Sequence, residues 1–184
     1  MKNVYEENRK NLIKLIKKES VILIDSGKAP HKTADQYYRY TTQRNFFYLT
    51  GLNEEKCKLV IIKSEKSDTT LLFIEETTDY MRQWVGERIS KKEASEITNI
   101  PESKIHYLSK FEDVFRSLMT YGRGLGMVPP KYVYFDLYRV TPKVTPYALE
   151  QFKFVVDAYK ELKIENLNKE LSYLRMFKSE LELE

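Results

Sequence analysis

The chain has 184 residues, 31 Lys and Arg against 27 Asp and Glu, and a formal net charge of only +4. At this length a fold buries roughly 70% of the surface of its unfolded chain, so one domain with a proper core is expected without disulfides or a structural metal. With 42% apolar residues the chain is no disordered polymer, and its single Cys57 forms no internal bridge.

In chain order, Val4, Tyr5, Asn8, Leu12, Leu15 and Ile16 fall at helical spacing among Lys and Glu, which predicts an amphipathic helix over residues 4–18. This is not the unbroken apolar core of a signal peptide, and a cytoplasmic location is expected. Val21-Ile22-Leu23-Ile24, closed by Asp25-Ser26-Gly27, reads as a buried strand and a turn. Lys28 to Arg44 has no clean period and reads as an irregular connection. Residues 45–50, 57–63 and 69–74 read as three more strands, the last two an antiparallel hairpin with a five-residue loop at 64–68. Ser90 with Glu93, and Ser109 with Glu112, match the capping box of a helix start. Behind the second box, Phe111, Val114, Phe115, Leu118 and Met119 share one face, with Gly122 placed to end that helix. Residues 131–136 predict a strand, Thr145-Pro146 a helix start running to about Leu162, residues 163–165 a short strand, and Asn168 a last helix. Strands and helices alternate while the hairpin breaks a pure βαβ repeat, so a mixed α/β sheet with helices on its faces is expected.

Apolar runs such as Leu59-Val60-Ile61-Ile62 are far shorter than the roughly 20 residues of a membrane span. Lys and Arg are interleaved with acids, as in Lys160-Glu161-Leu162-Lys163, so nucleic acid is not an expected partner. His31 lies four residues before Asp35 and His106 four after Glu102, but prolines flank both pairs and no metal site is expected in this chain. Cys57 opens a strand and reads as a core or edge thiol. Gly122-Arg123-Gly124-Leu125-Gly126 follows a helix and runs into Pro129, the reverse of a dinucleotide fingerprint. Tyr37-Tyr38-Arg39-Tyr40, followed by Arg44, Phe46, Phe47 and Tyr48, gathers the residue types of interface hot spots and base-stacking platforms. The only tryptophan stands in Trp84-Val85-Gly86-Glu87-Arg88, among charged and glycine neighbours that suit a connector.

At these residues the chain resembles a known family, the N-terminal domain of Xaa-Pro aminopeptidase (aminopeptidase P) in the creatinase and prolidase group. Phe46-Phe47-Tyr48-Leu49-Thr50-Gly51-Leu52-Asn53-Glu54 is similar to the family's F-x-Y-L-T-G-x-N-E-P stretch, with Glu55 in place of the proline and Lys56 after it. Trp84, Gly86 and Arg88 match W-x-G-x-R, and Leu174, Arg175, Lys178 and Ser179 match the L-R-x-x-K-S segment that leads toward the catalytic domain. Tyr40-Thr41-Thr42 departs from the Tyr-Arg-Gln of some relatives, so that a family arginine contact is either missing or taken over by Arg39 or Arg44.

The resemblance implies a ribonuclease-H-like α/β fold over residues 1–180, with 181–184 the start of a linker or an expression remnant. It implies a non-catalytic domain that supports a homo-oligomer, a dimer or tetramer, and narrows the path of proline-containing peptides. The site that cleaves Xaa-Pro bonds would lie in a pita-bread catalytic domain absent from this chain, holding two divalent ions, commonly manganese. Trp84, Arg88, Arg39, Tyr40 and Asp35 are the residues expected at the substrate entrance or interface, Trp84 through its flat ring and the arginines through charge-assisted bonds. Two alternatives stand beside this reading: the N-terminal domain of a prolidase, and a module that binds protein or single-stranded RNA through Tyr37 to Tyr48.

Overall fold

A computed structural model describes residues 3–78, 80, 82, 83, 86–120, 128–139, 141–178 and 180–183. Helix α1 (Val4–Leu15) is capped by the side chain of Asn3, which accepts from the amides of Tyr5 and Glu6, and at its other end Lys63 Nζ donates to the carbonyls of Ile13 and Ile16. Strand β1 (Ser20–Asp25) is buried along its whole length, which explains its unbroken apolar run. It pairs antiparallel with β4 (Lys58–Lys63) and parallel with β7 (Tyr132–Phe135). Strand β5 (Asp68–Ile74) pairs antiparallel with β4, β6 (Ile105–Tyr107) runs parallel to β5, and β8 (Lys163–Asn166) runs parallel to β7.

The resulting six-stranded sheet has the order β6-β5-β4-β1-β7-β8, with only β4 opposed to the rest. Five of these strands, in the order β5-β4-β1-β7-β8, follow the ribonuclease-H-like arrangement that the resemblance implied. Ile22, Ile24, Leu59, Ile61, Leu72 and Ile74 point to one face and meet α1, α2 (Arg44–Thr50), α3 (Lys91–Thr98) and α7 (Asn168–Met176). Val21, Leu23, Val60, Leu71, Phe73, Val133 and Phe135 point to the other and meet α4 (Phe111–Met119), α5 (Tyr147–Gln151) and α6 (Lys153–Ala158). No helix among the described residues is long and apolar enough to cross a membrane.

Several expectations need correction. Residues 45–50 form α2, not a strand. Asn45, Phe46, Leu49 and Thr50 are the buried set, the spacing of a helix face, while Phe47 is exposed. Gln43 caps this helix by accepting from the Phe46 amide at 2.9 Å, and Gly51 ends it at φ 72°, its N–H bonded to the Phe47 carbonyl. The Ser90–Glu93 capping box forms, but Ser109 lies in a 3-10 turn and α4 starts at Phe111 without a side-chain cap. Thr145 makes no cap either. The helix behind it begins at Tyr147, breaks at Phe152, whose ring enters a cluster with Phe111 and Phe135, and ends at Ala158 rather than Leu162. The β4–β5 loop is one residue shorter than expected, because Lys63 pairs with Asp68. Within the Lys28–Arg44 connection the exposed strands β2 (His31–Thr33) and β3 (Gln36–Tyr37) form a small hairpin. Strand β6 was not foreseen, and the glycines at 122, 124 and 126 lie outside the described residues.

Candidate functional site

The polar side chains of interest gather at one edge of the sheet, where β1 and β7 end, β4 begins and β5 ends. This is the edge at which open α/β sheets place their ligands. After β1 the chain turns through Ser26 and Gly27, and this turn is stitched to residues 54–57 just before β4. The Ser26 amide donates to the Cys57 carbonyl, the Cys57 amide to Ser26 Oγ, and the Lys56 amide to the Gly27 carbonyl, all at 2.8–2.9 Å. Lys56 takes φ 58° to make this turn.

Two of the sequence-predicted residues meet at this turn. The Tyr40 hydroxyl lies 2.9 Å from the Ser26 carbonyl and 2.8 Å from that of Glu54, to which it donates. Burial pushes the Tyr40 phenol above its ordinary pKa, against the pull of Thr42 and Ser26, so it stays a donor at neutral pH. Arg88 reaches the same place from the other side. Its NH2 group donates to Glu55 Oε1 at 3.1 Å, and its Nε forms an ion pair with Glu75 Oε2 at 3.2 Å without hydrogen-bond alignment.

Asp35, in the β2–β3 turn, and Arg39, just past β3, remain on the exposed arm and are not drawn into this cluster. Trp84 lies outside the described residues. Arg44 is exposed at the start of α2 and does not join the cluster either.

Glu55 is the residue that sequence reasoning passed over, treating it as a turn substitution. Burial raises its pKa, but the bond from the Ala29 amide and the Arg88 cation outweigh this and hold the carboxyl below its ordinary value. Its neighbour Glu54 goes the other way, raised chiefly by burial despite Arg88. The only sequence signal was two adjacent acids directly before an apolar strand.

A second cluster lies at the end of β7. Asp136 accepts from Gln43 Nε2 at 2.8 Å, from Asn45 Nδ2, and at 3.4 Å from Asn168 Nδ2, while Arg175 donates to Asn45 Oδ1 at 2.8 Å. Burial and the nearby Arg44 lower the Arg175 pKa. Asp136 thus faces α2 and α7. Asp25, at the end of the neighbouring strand, faces the opposite side of the sheet, paired with Lys58 at 2.9 Å, whose Nζ sits 4.3 Å from the Phe152 ring centre. Two acids on adjacent parallel strands therefore point apart, Asp25 paired with a cation and Asp136 held by side-chain amides.

Among the described residues no group of three or more His, Cys, Asp or Glu is placed to hold a metal ion. A dinuclear centre needs several such ligands around ions about 3.5–4 Å apart, so these residues do not fit one. His31 packs edge-on against Tyr37, and His106, its pKa lowered mainly by burial, lies against Phe73. Cys57 is buried, and burial pushes its thiol up to about 12, so it is an unreactive core residue.

The family profile described as "Aminopeptidase P, N-terminal domain" matches residues 5–125. A Xaa-Pro aminopeptidase of Haemophilus influenzae is 24% identical over 135 residues, which is 73% of this chain and 31% of that protein. A Xaa-Pro aminopeptidase of Escherichia coli is 25% identical over 137 residues, 72% of this chain and 30% of that protein. A Bacillus anthracis structure assigned as an aminopeptidase P superposes with TM-score 0.87 at 31% identity, covering 100% of this chain and 42% of its own. Aminopeptidase P from E. coli superposes with TM-score 0.74 at 20% identity, a likeness of fold alone, covering 98% of this chain and 40% of its own. The chain spans about a third of the length of these curated relatives.

Proposed function

The chain belongs to the aminopeptidase P N-terminal domain family, and from that premise we propose that it is a non-catalytic domain of a Xaa-Pro aminopeptidase-like protein. In this reading it supports a homo-oligomer and narrows peptide access to a metal-dependent catalytic domain. The observation that carries the proposal is the profile match, since the family it describes is a domain rather than a whole enzyme. The polar edge of the sheet supports it. Tyr40, Glu54, Glu55 and Arg88 bond to one another's segments, which suits a preformed wall better than a reacting centre.

Two divalent ions, manganese among the candidates, would supply the activated water in a catalytic domain of this family. The described residues of this chain do not fit such a centre. What this chain would contribute is shape, through the expected entrance or interface residues Trp84, Arg88, Arg39, Tyr40 and Asp35. We also propose a cytoplasmic location, in keeping with a lone, buried thiol.

The test is hydrolysis of Xaa-Pro tripeptides and dipeptides with manganese, by this chain and by the longest product of its gene. Activity on tripeptides in the longer product alone is the expected result, and activity on dipeptides only would move the parent to the prolidases. Activity in neither would overturn the peptidase reading. A second reading, a binding module, is favoured by Tyr37 and Tyr38, exposed at 62% and 57%, with Lys32 Nζ 5.9 Å from the Tyr38 ring centre. Salt-dependent binding to single strands, lost in Tyr38→Ala, would support it.

A further inference from the structure

Arg88 was expected to offer its charge to a peptide or partner, but the structure gives that charge another use. The guanidinium lies between two carboxylates from different parts of the chain, Glu55 before β4 and Glu75 after β5, with all three side chains only 18–21% exposed. Each carboxylate is held on its second oxygen as well. The Ala29 amide donates to Glu55 Oε2 at 3.0 Å, and Lys56 Nζ sits 2.9 Å from Glu75 Oε1. The Arg88 backbone amide donates to Thr77 Oγ1 at 2.9 Å, closing the neck of the connection between those two residues. Moving Arg88 onto an outside ligand would leave the partly buried Glu55 without its side-chain cation and Glu75 with Lys56 alone.

We propose that Arg88 is a positioning residue: bridging Glu55 and Glu75, it fixes Thr77 and residues 86–88 to the turn that Glu55 makes with Ala29. Two of the expected entrance residues, Arg88 and Tyr40, are thereby held against the same 54–55 turn. The proposal rests on the entrance reading for its consequence, but the coupling itself belongs to this chain. Ala29 is its natural reporter, because its amide bonds Glu55 and not Arg88.

The experiment is amide hydrogen exchange by NMR on this chain and its Arg88→Met variant. Loss of a charge-assisted bond is expected to speed exchange at Ala29 on the order of tenfold, with the β1 amides of Ile22 and Leu23 unchanged. Faster exchange at Arg88 with Ala29 unchanged would overturn the coupling. If Arg88→Met loses its fold, Glu55→Gln carries the test in the other direction, with accelerated exchange of the Arg88 amide expected and an unchanged rate refuting. In a longer product that hydrolyses Xaa-Pro tripeptides, Arg88→Met is expected to raise KM severalfold with kcat held. Unchanged KM there would overturn the positioning role, whereas a wild-type product without activity would instead overturn the peptidase reading and leave the exchange result to stand or fall alone.

Discussion

Gly51→Ala tests why a threonine-glycine pair ends α2. Gly51 sits at φ 72°, the left-handed region, where an L residue costs about 1–2 kcal/mol. A Cβ built there falls 2.3 Å from Tyr5 Cε2 and 2.4 Å from Tyr5 Cζ, so the ring has to move. Tyr5 packs edge-on against Phe47 with centres 6.2 Å apart, and giving up such a contact costs about 0.5–1.5 kcal/mol. The sum, about 1.5–3.5 kcal/mol, corresponds to a Tm drop of about 3–14 °C at this chain length. Urea denaturation of Gly51→Ala, Tyr5→Ala and the double variant separates the two parts, because only the contact disappears with Tyr5. A Gly51→Ala cost below about 0.5 kcal/mol would refute the backbone argument. A cost unchanged in the Tyr5→Ala background would refute the steric one.

Arg9 is buried in α1 and donates at 2.7 Å to the carbonyls of Leu49 and Thr98, tying α1 to the ends of α2 and α3. Burial lowers its pKa only to about 10, so it stays charged at neutral pH. Arg9→Met strands two buried carbonyls and should cost about 2–5 kcal/mol in urea denaturation, a loss under 1 kcal/mol contradicting this account. Ser90→Ala removes the acceptor of the Glu93 amide and should cost about 0.5–2 kcal/mol, read by the same assay. Glu55, its pKa held below the ordinary 4.5, contributes stability above the ordinary carboxylate range that is lost as pH falls through its folded value. Its carboxyl resonance should titrate below 4.5 and move back up in Arg88→Met, and a midpoint at 4.5 or above in the wild type would rule this out.

The strands and amphipathic helices were legible because their burial follows simple periods. Val21 to Ile24 is apolar on both faces because β1 is central, and Phe111, Phe115 and Leu118 repeat at helical spacing. Residues 45–50 misled because Phe46-Phe47-Tyr48-Leu49 is rich in strand-forming aromatics, and only the caps at Gln43 and Gly51 decide for a helix. The family stretch around Gly51 was readable as a motif without revealing that its glycine is required by φ and by the Tyr5 ring. The site was less legible still. Tyr40 and Arg88 were named, but their partners Ser26, Glu54, Glu55 and Glu75 are 14, 14, 33 and 13 positions away, and no local pattern links them.

That distribution bears on what this edge of the sheet can do. A reacting centre keeps some groups underused, so that substrate or metal can complete them. Here the acids at the strand ends are committed: Asp25 to Lys58, Asp136 to Gln43 and Asn45, Glu55 to Ala29 and Arg88. Networks of this kind resist rearrangement, because each bond broken weakens the support of a buried or partly buried charge. Their product is stiffness at the place where residues 26–29, 54–58, 75–77 and 86–88 meet. A stiff edge of this kind would present a fixed outline to whatever packs or passes beside it, which is what the proposed non-catalytic role asks of it.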